Sequence, residues 1–358
     1  MPDFIVGHEN AVDADLLIHR AEPLNGETRI SDLTPGEMVP AGRFYLRNHF
    51  DIPILDGERY RLRVSGLVGQ PLDLSLDQIQ NLPSQSRVAT LECAGNGRSL
   101  FTPVPSGEPW KLGAASTAEW TGAPLVHVLD RAGVQPGATQ IIFRGADSGH
   151  VPDVDSPIRF ERSLGLDDIR NSGALLAYAM NGEPLTAAHG FPLRLIMPNW
   201  YAVASVKWLT DIIVTDKPSD GFYQADRYWY EWLREGREER EPVTLLNVRA
   251  LITAPEASAS VPRGEIAIRG VAWSGAANIA KVDVSLNGGP WQEARMIGEA
   301  RRGAWQWWEL LTSLEQGGPL VLRARATDTA GRTQPDQAEW NRLGYGNNSV
   351  HVVETEVV

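Results

Sequence analysis

Apolar and polar positions alternate along several short stretches of this chain. Tyr60-Arg-Leu-Arg-Val-Ser-Gly-Leu-Val68 sets every second residue on one face, which predicts a half-buried strand. Val88 to Cys93, Gln140 to Arg144, Leu193 to Met197 and Trp208 to Val214 predict further strands. Helical signals are short. Ser75 is a candidate N-cap for a helix running to Asn81, with Leu76 and Ile79 on one face. Leu125 to Ala132 reads as a helix that ends on Gly133, a residue suited to the left-handed cap position. Strands and helices are interspersed, as in a mixed layered domain. Residues 1–40 are rich in turn formers and are expected to form an irregular arm.

The character changes between residues 216 and 246. Arg234 to Glu241 is a run of mixed charge followed by Pro242, expected to be a solvated linker. Beyond it, Ile266 to Trp273, Lys281 to Leu286 and Leu320 to Ala326 alternate, and Asn287-Gly-Gly is a hairpin-type turn. Short strands joined by turns predict a sandwich of immunoglobulin-like architecture. The expected fold class is α+β: a mixed α/β domain over residues 1–240, then an all-β domain over 243–358.

The composition changes little in that picture. With 42% hydrophobic and 22% charged residues, the 358-residue chain is of ordinary globular type. A formal net charge of −12 argues against nucleic acid as a partner, while leaving room for a local basic pocket. No apolar run has the roughly 18 residues a membrane helix needs. The N-terminal segment shows no leader, so a cytoplasmic address is expected; a periplasmic one would follow if a leader is missing from this sequence.

The candidate chemistry centres on Cys93, the only cysteine, in Thr90-Leu-Glu-Cys-Ala-Gly-Asn-Gly-Arg-Ser99. The glycines allow close approach of a ligand, and Arg98 supplies a charge that would lower a thiol pKa and hold an anion. There is no metal-ligand pair at zinc spacing, no phosphate-binding loop, no Gly-x-Ser-x-Gly elbow and no haem-attachment motif. Two uses of the thiol remain: nucleophile, or soft ligand to a redox metal.

An ordered series of segments then resembles the sulfite oxidase family of molybdopterin-dependent oxidoreductases, of the bacterial, haem-free type. It comprises Arg47-Asn48-His49, Cys93 to Arg98, Glu119 to Leu125, Leu176 to Leu185, His189 to Arg194 and Ser205 to Leu209. Gly270 to Gly275, Val282 to Gly289 and Trp340-Asn341 continue it. The resemblance implies a molybdenum–molybdopterin cofactor without haem, and a C-terminal domain that makes a homodimer. It implies Cys93 as the metal ligand, with Asn48, His49, Asp147, His189, Arg194, Ser205, Val206 and Lys207 holding the pterin. For the substrate, a small sulfur oxyanion, it implies Arg47, Arg98, Trp110 and Tyr228.

The implied activity is oxidation of sulfite to sulfate by oxygen-atom transfer. Electrons would pass to an external acceptor such as a c-type cytochrome. Two alternatives stay open. One is a same-fold molybdoenzyme acting on another sulfur compound, as a sulfane-sulfur dehydrogenase subunit or a sulfoxide or oxyanion reductase. The other is a non-catalytic protein that kept the fold, against which the joint presence of Arg47, Cys93 and Arg98 speaks.

Some positions depart from the family pattern. Gly97 stands where some relatives carry a second arginine, and Ser106 near where some carry a lysine. The C-terminal substrate arginine falls in strict register on Leu343, with Arg342 one place early. Either a local irregularity brings Arg342 back, or the pocket has one cation fewer.

Overall fold

The computed structural model describes residues 16–152 and 154–358. The part of the expected N-terminal arm before residue 16 lies outside the described residues. The rest of the arm is more ordered than expected. Leu17–Arg20 and Asn25–Glu27 pair as a small antiparallel hairpin. Its polar residues Asn25, Glu27 and Thr28 are buried because they serve the main domain. Glu27 Oε2, for example, accepts backbone N–H bonds from Lys111 and Gly113.

Two five-stranded sheets build the N-terminal domain. One joins Gln85–Glu92, Ala115–Pro124, Leu175–Met180, Glu183–Pro184 and Arg194–Ile196. The other runs Leu72–Ser75, Arg61–Gly66, Leu209–Thr215, Gln140–Gly149, Ile158–Gly165, and its Arg61–Gly66 and Leu209–Thr215 strands are parallel. Helices are short. Leu76–Gln80 is capped by Ser75, whose hydroxyl accepts from Gln78 N–H while the Gln78 side chain accepts from Ser75 N–H. Leu125–Ala132 ends on Gly133 at φ 66°, in the left-handed region. The expected helices and strands therefore form where the periodicity placed them, to within a few residues.

The charge run is not a linker. Trp229–Arg234 and Arg237–Pro242 form a two-stranded ribbon, Trp229 opposite Pro242, turning at Glu235-Gly236 with both φ positive. Arginine side chains lie over tryptophan rings on this ribbon: Arg240 at 4.2 Å from the Trp229 centroid, Arg234 at 4.0 Å from Trp232. These stacks and the exposed ion pairs of Arg234 take the place of a buried face.

The C-terminal region is a sandwich. A four-stranded sheet (Arg249–Ala254, Gly264–Trp273, Gln306–Leu314, Arg295–Ile297) faces a five-stranded one built around Ile279–Leu286, Gly318–Asp328 and His351–Val357. Ile252, Ile268 and Trp308 of the first meet Val284, Leu322 and Val353 of the second in a separate core.

The two regions meet at the cysteine loop. Arg249 of the sandwich reaches Glu92, the residue before Cys93, at 2.6 Å, with both side chains at most 2% exposed. The indole Nε1 of Trp273 donates to the other Glu92 oxygen at 2.9 Å. Gly346 N–H donates to Ala94 C=O at 2.7 Å.

Candidate active site

Cys93 ends the strand Gln85–Glu92 and opens a tight turn. Its N–H donates to Ala114 C=O at 2.9 Å, and its C=O accepts from Asn96 N–H at 2.9 Å. Gly97 follows at φ 84°, and a Cβ there would stand 2.8 Å from Arg249 Nη2. The positive φ and that contact both disfavour a side chain at this position.

The turn floors a cleft lined by charged, polar and aromatic side chains. Residues scattered through the sequence converge on it. Arg47, Asn48 and His49 come from the segment after the N-terminal hairpin, and Asp147 from a bulged stretch of Gln140–Gly149. His189, Arg194, Ser205, Val206 and Lys207 form the opposite wall, and Tyr228 closes one end. Gly190, at φ 103°, lets Lys207 and Arg194 approach its backbone, since a Cβ would sit 3.1 and 3.2 Å from theirs.

Two predicted residues stand behind the lining. Arg98 is buried and donates from Nε to Leu343 C=O at 3.1 Å and from Nη1 to Glu108 C=O at 2.7 Å. Its charge still acts on Cys93. Trp110 is fully buried, edge-on to His19 at 5.1 Å between centroids, and is not part of the cavity wall. Its large apolar ring fills the core behind the cysteine loop.

The question of Arg342 has a clear geometric answer. Its guanidinium points outward to Glu231 at 2.5 Å and is 60% exposed, while Leu343 is buried. Arg342 N–H also donates to Glu231 C=O at 3.1 Å, which holds the extended register. This loop therefore gives the pocket no cation.

The electrostatics are those of an anion site. Arg47 donates to Asn48 C=O and, at 3.5 Å, to Asn25 Oδ1, so its partners are neutral. Arg194 donates to His189 and Ser205 carbonyls, and its Nε has no partner. Lys207 donates to Asn48 Oδ1 and to Ala188 C=O. Asp147 is the one carboxylate among the described lining residues, and its Oδ1 is buried without a partner.

Burial sets the protonation states. It lowers His189 to about 3 and raises Asp147 to about 6, the latter offset by Lys207. Burial, then the charges of Arg47, Lys207 and Arg162, push His49 well below the ordinary histidine range. The thiol corrects a simpler expectation. Burial raises the Cys93 pKa, outweighing the lowering by Arg47 and Arg98. The arginines alone do not make a thiolate; a bound cation would.

His49 does more than line the cleft. Its Nε2 lies 2.6 Å from the Tyr228 hydroxyl, and its ring stacks on Phe160 at 4.8 Å. Tyr228 has φ 61°, a strained value for a non-glycine residue, and stacks on Tyr345 at 5.1 Å and 11°. Tyr345, Phe160, Asn25 and Arg162 are site residues that the sequence pattern does not single out. Each sits in an ordinary strand or turn context; the tertiary fold brings Phe160 to the cleft wall and sets Tyr345 and Arg162 against Tyr228 and Asn25 against Asn48.

A molybdopterin group fits this donor set. Among the described residues no cluster of three His, Cys, Asp or Glu could hold a metal by itself. Cys93 thus offers one soft ligand, and the others must arrive with the cofactor. The unpaired Arg194 Nε and Asp147 Oδ1 are a donor and an acceptor, suited to a phosphate and a pterin edge.

Comparison with known proteins agrees. Residues 49–223 match the family model described as an oxidoreductase molybdopterin binding domain, and residues 240–358 a Mo-co oxidoreductase dimerisation domain. The chain is 36% identical to mitochondrial sulfite oxidase of Macaca fascicularis, covering 96% of this chain and 66% of that protein. It is 33% identical to sulfite oxidase of Arabidopsis thaliana, covering 94% of this chain and 93% of that protein. Among solved structures it resembles the sulfane dehydrogenase SoxCD of Paracoccus pantotrophus. The TM-score is 0.83 at 28% identity, over 94% of this chain and 85% of that one. A single cysteine in an electropositive cleft, a sandwich docked on its loop and these relatives lead to one conclusion: the chain belongs to the sulfite oxidase family of molybdopterin oxidoreductases.

Proposed function

We propose that the protein oxidises sulfite to sulfate: sulfite and water give sulfate, two protons and two electrons. The electrons leave one at a time to an external acceptor of the c-type cytochrome class. The observation that carries the reading is the cleft itself. Arg47 and Tyr228 line it together with Cys93, and Arg47 has no carboxylate partner among the described residues. An anion of the substrate's charge supplies the partner.

The bound cofactor supplies the two-electron oxygen-transfer chemistry. Cys93 would hold its metal; Lys207, Arg194 and His189 would hold the phosphate end, and Asp147 the pterin edge. Asn48 orients Lys207 through its Oδ1, and the Ser205–Lys207 segment packs along the same wall. Arg47 binds the substrate oxyanion, with the charge of Arg98 behind it. Tyr228 keeps its proton, because burial raises the phenol pKa well above its ordinary value. Neutral His49 shares a hydrogen bond with Tyr228 whose direction follows its tautomer; with the proton on Nε2, His49 would donate to the phenol oxygen and leave the Tyr228 O–H for an oxygen of the anion. The second domain forms a homodimer in this reading.

A second reading, oxidation of a sulfane-sulfur group, draws on Leu343 and Gly97, which withhold two cations from the pocket. Steady-state turnover of the holoenzyme with ferricyanide or cytochrome c separates the two. Sulfite is expected to be the best substrate in a panel of sulfur oxyanions, sulfane sulfur compounds and sulfoxides. No turnover of sulfite beside turnover of another member would refute the first reading.

A further inference from the structure

Arg162 is a guanidinium buried without a counter-ion among the described residues. It projects from the strand Ile158–Gly165 and is 4% exposed. Its contacts are neutral: Nη1 donates to Tyr223 C=O, its guanidinium carbon lies 5.4 Å from the Tyr228 ring centroid, and Nε has no partner. A charge taken out of water and left unpaired is strongly unfavourable, so it persists where another group supplies the opposite sign.

Its place in the fold points to that group. Phe160, two residues earlier on the same strand face, lines the cleft and stacks on His49. Tyr228 stands with its ring over Arg162 and its hydroxyl on His49. Meanwhile the C-terminal loop presents Leu343 and sends Arg342 out to Glu231.

We propose that Arg162 is a specificity-determining positioning residue. It stands in for the cation that the Leu343 position withholds, acts on the pocket across Tyr228, and takes the bound oxyanion as its counter-charge. A cation against the phenol ring strengthens the Tyr228 O–H as a donor and adds to the field at the substrate. Dianions gain from this more than neutral sulfur compounds do. The identity of the substrate as sulfite rests on the function proposed above; the anion preference does not.

The test uses the holoenzyme and sulfate, the product dianion, as probe. Arg162→Gln is expected to weaken sulfate binding about tenfold by calorimetry, and Arg162→Lys by no more than about threefold. Arg342→Gln leaves it unchanged, because that side chain faces outward. In steady state Arg162→Gln raises the KM for sulfite about tenfold with kcat within about threefold, the signature of lost binding rather than lost chemistry.

Stability discriminates a merely structural role. Without added anion, Arg162→Gln melts at or above the wild-type temperature, because an unpaired buried charge is gone. A structural arginine would lower it. Arg162→Met provides a second uncharged side chain of similar reach. Failure of both uncharged variants to fold, unchanged sulfate affinity in them, or an equal loss in Arg342→Gln would each overturn the proposal. If the wild type does not oxidise sulfite, the proposed function fails while the sulfate titration still decides on Arg162. A wild type that binds no sulfate overturns the Arg162 proposal as well.

Discussion

Removing Arg249 tests how the two domains set the cysteine loop. Arg249 and Glu92 are 2% and 1% exposed and meet at 2.6 Å. Glu92 also accepts from Asn96 Nδ2 at 3.0 Å and Trp273 Nε1 at 2.9 Å. In Arg249→Met the carboxylate stays buried with its cation gone. Breaking such a pair from one side costs about 3–5 kcal/mol. At about 2 °C per kcal/mol for a chain of this size, the melting temperature falls by roughly 6–10 °C.

The double variant Glu92→Gln/Arg249→Met removes both charges and keeps an acceptor for Trp273, so its cost is smaller, about 1–2 kcal/mol. The same lesion reaches the thiol. The charge of Glu92 already acts to raise the Cys93 pKa against the lowering by Arg47 and Arg98, and without Arg249 that carboxylate has lost the cation beside it. Metal retention should therefore fall in Arg249→Met and recover in the double variant. Calorimetric melting of the three variants, with molybdenum measured on the same samples, checks this. A single variant costing less than about 1 kcal/mol, or no more than the double, would refute the reasoning.

Three further outcomes follow from the same geometry. Arg47→Gln should raise the KM for sulfite at least about tenfold with the melting temperature unchanged, since Arg47 has no ionic partner to lose; steady-state kinetics and a melting curve decide it. Gly97→Ala should cost about 2 kcal/mol or more, because φ 84° disfavours a side chain and the new Cβ meets Arg249 Nη2 at 2.8 Å; denaturant titration measures it. His351 has its pKa lowered to about 3, by burial and then by the Arg249 charge, and Nδ1 accepts from Ile252 N–H at 2.9 Å. The folded state then binds fewer protons than the unfolded one, so stability is lost as pH falls from about 6.5 toward 3. Wild type should lose up to about 1 kcal/mol per pH unit more than His351→Asn over that window, by urea unfolding at several pH values.

Much of the molecule is legible before any coordinates. Tyr60 to Val68 and Leu125 to Gly133 show their element in their spacing, because each has one buried face. The ribbon at Trp229–Pro242 does not, because its charged strand has no buried face and the period of two is invisible in Arg-Glu-Gly-Arg-Glu-Glu-Arg-Glu. Its turn signal, Glu235-Gly236, was the readable clue.

The site divides in the same way. Cys93, Arg194 and Lys207 lie in short segments whose order carries the family resemblance, and they line one cleft. Arg98 shares those segments and Trp110 lies between two of them, yet both stand behind the wall, since order along the chain does not fix depth. Arg162 and Tyr345 were unreadable because a single arginine in an alternating strand looks like a surface residue. Only sheet packing shows that it is buried. The offset at Arg342 and Leu343 was visible in the sequence, and the extended chain there keeps Arg342 on the outer face.

The central claim is that Cys93 ligates the metal of a molybdopterin in this cleft. Molybdenum and pterin content of wild type and Cys93→Ser, purified from a cofactor-competent host, test it most directly. The account predicts about one molybdenum per wild-type chain, and in Cys93→Ser an intact fold without sulfite turnover. Wild-type protein free of molybdenum and pterin, or full turnover in Cys93→Ser, would contradict it.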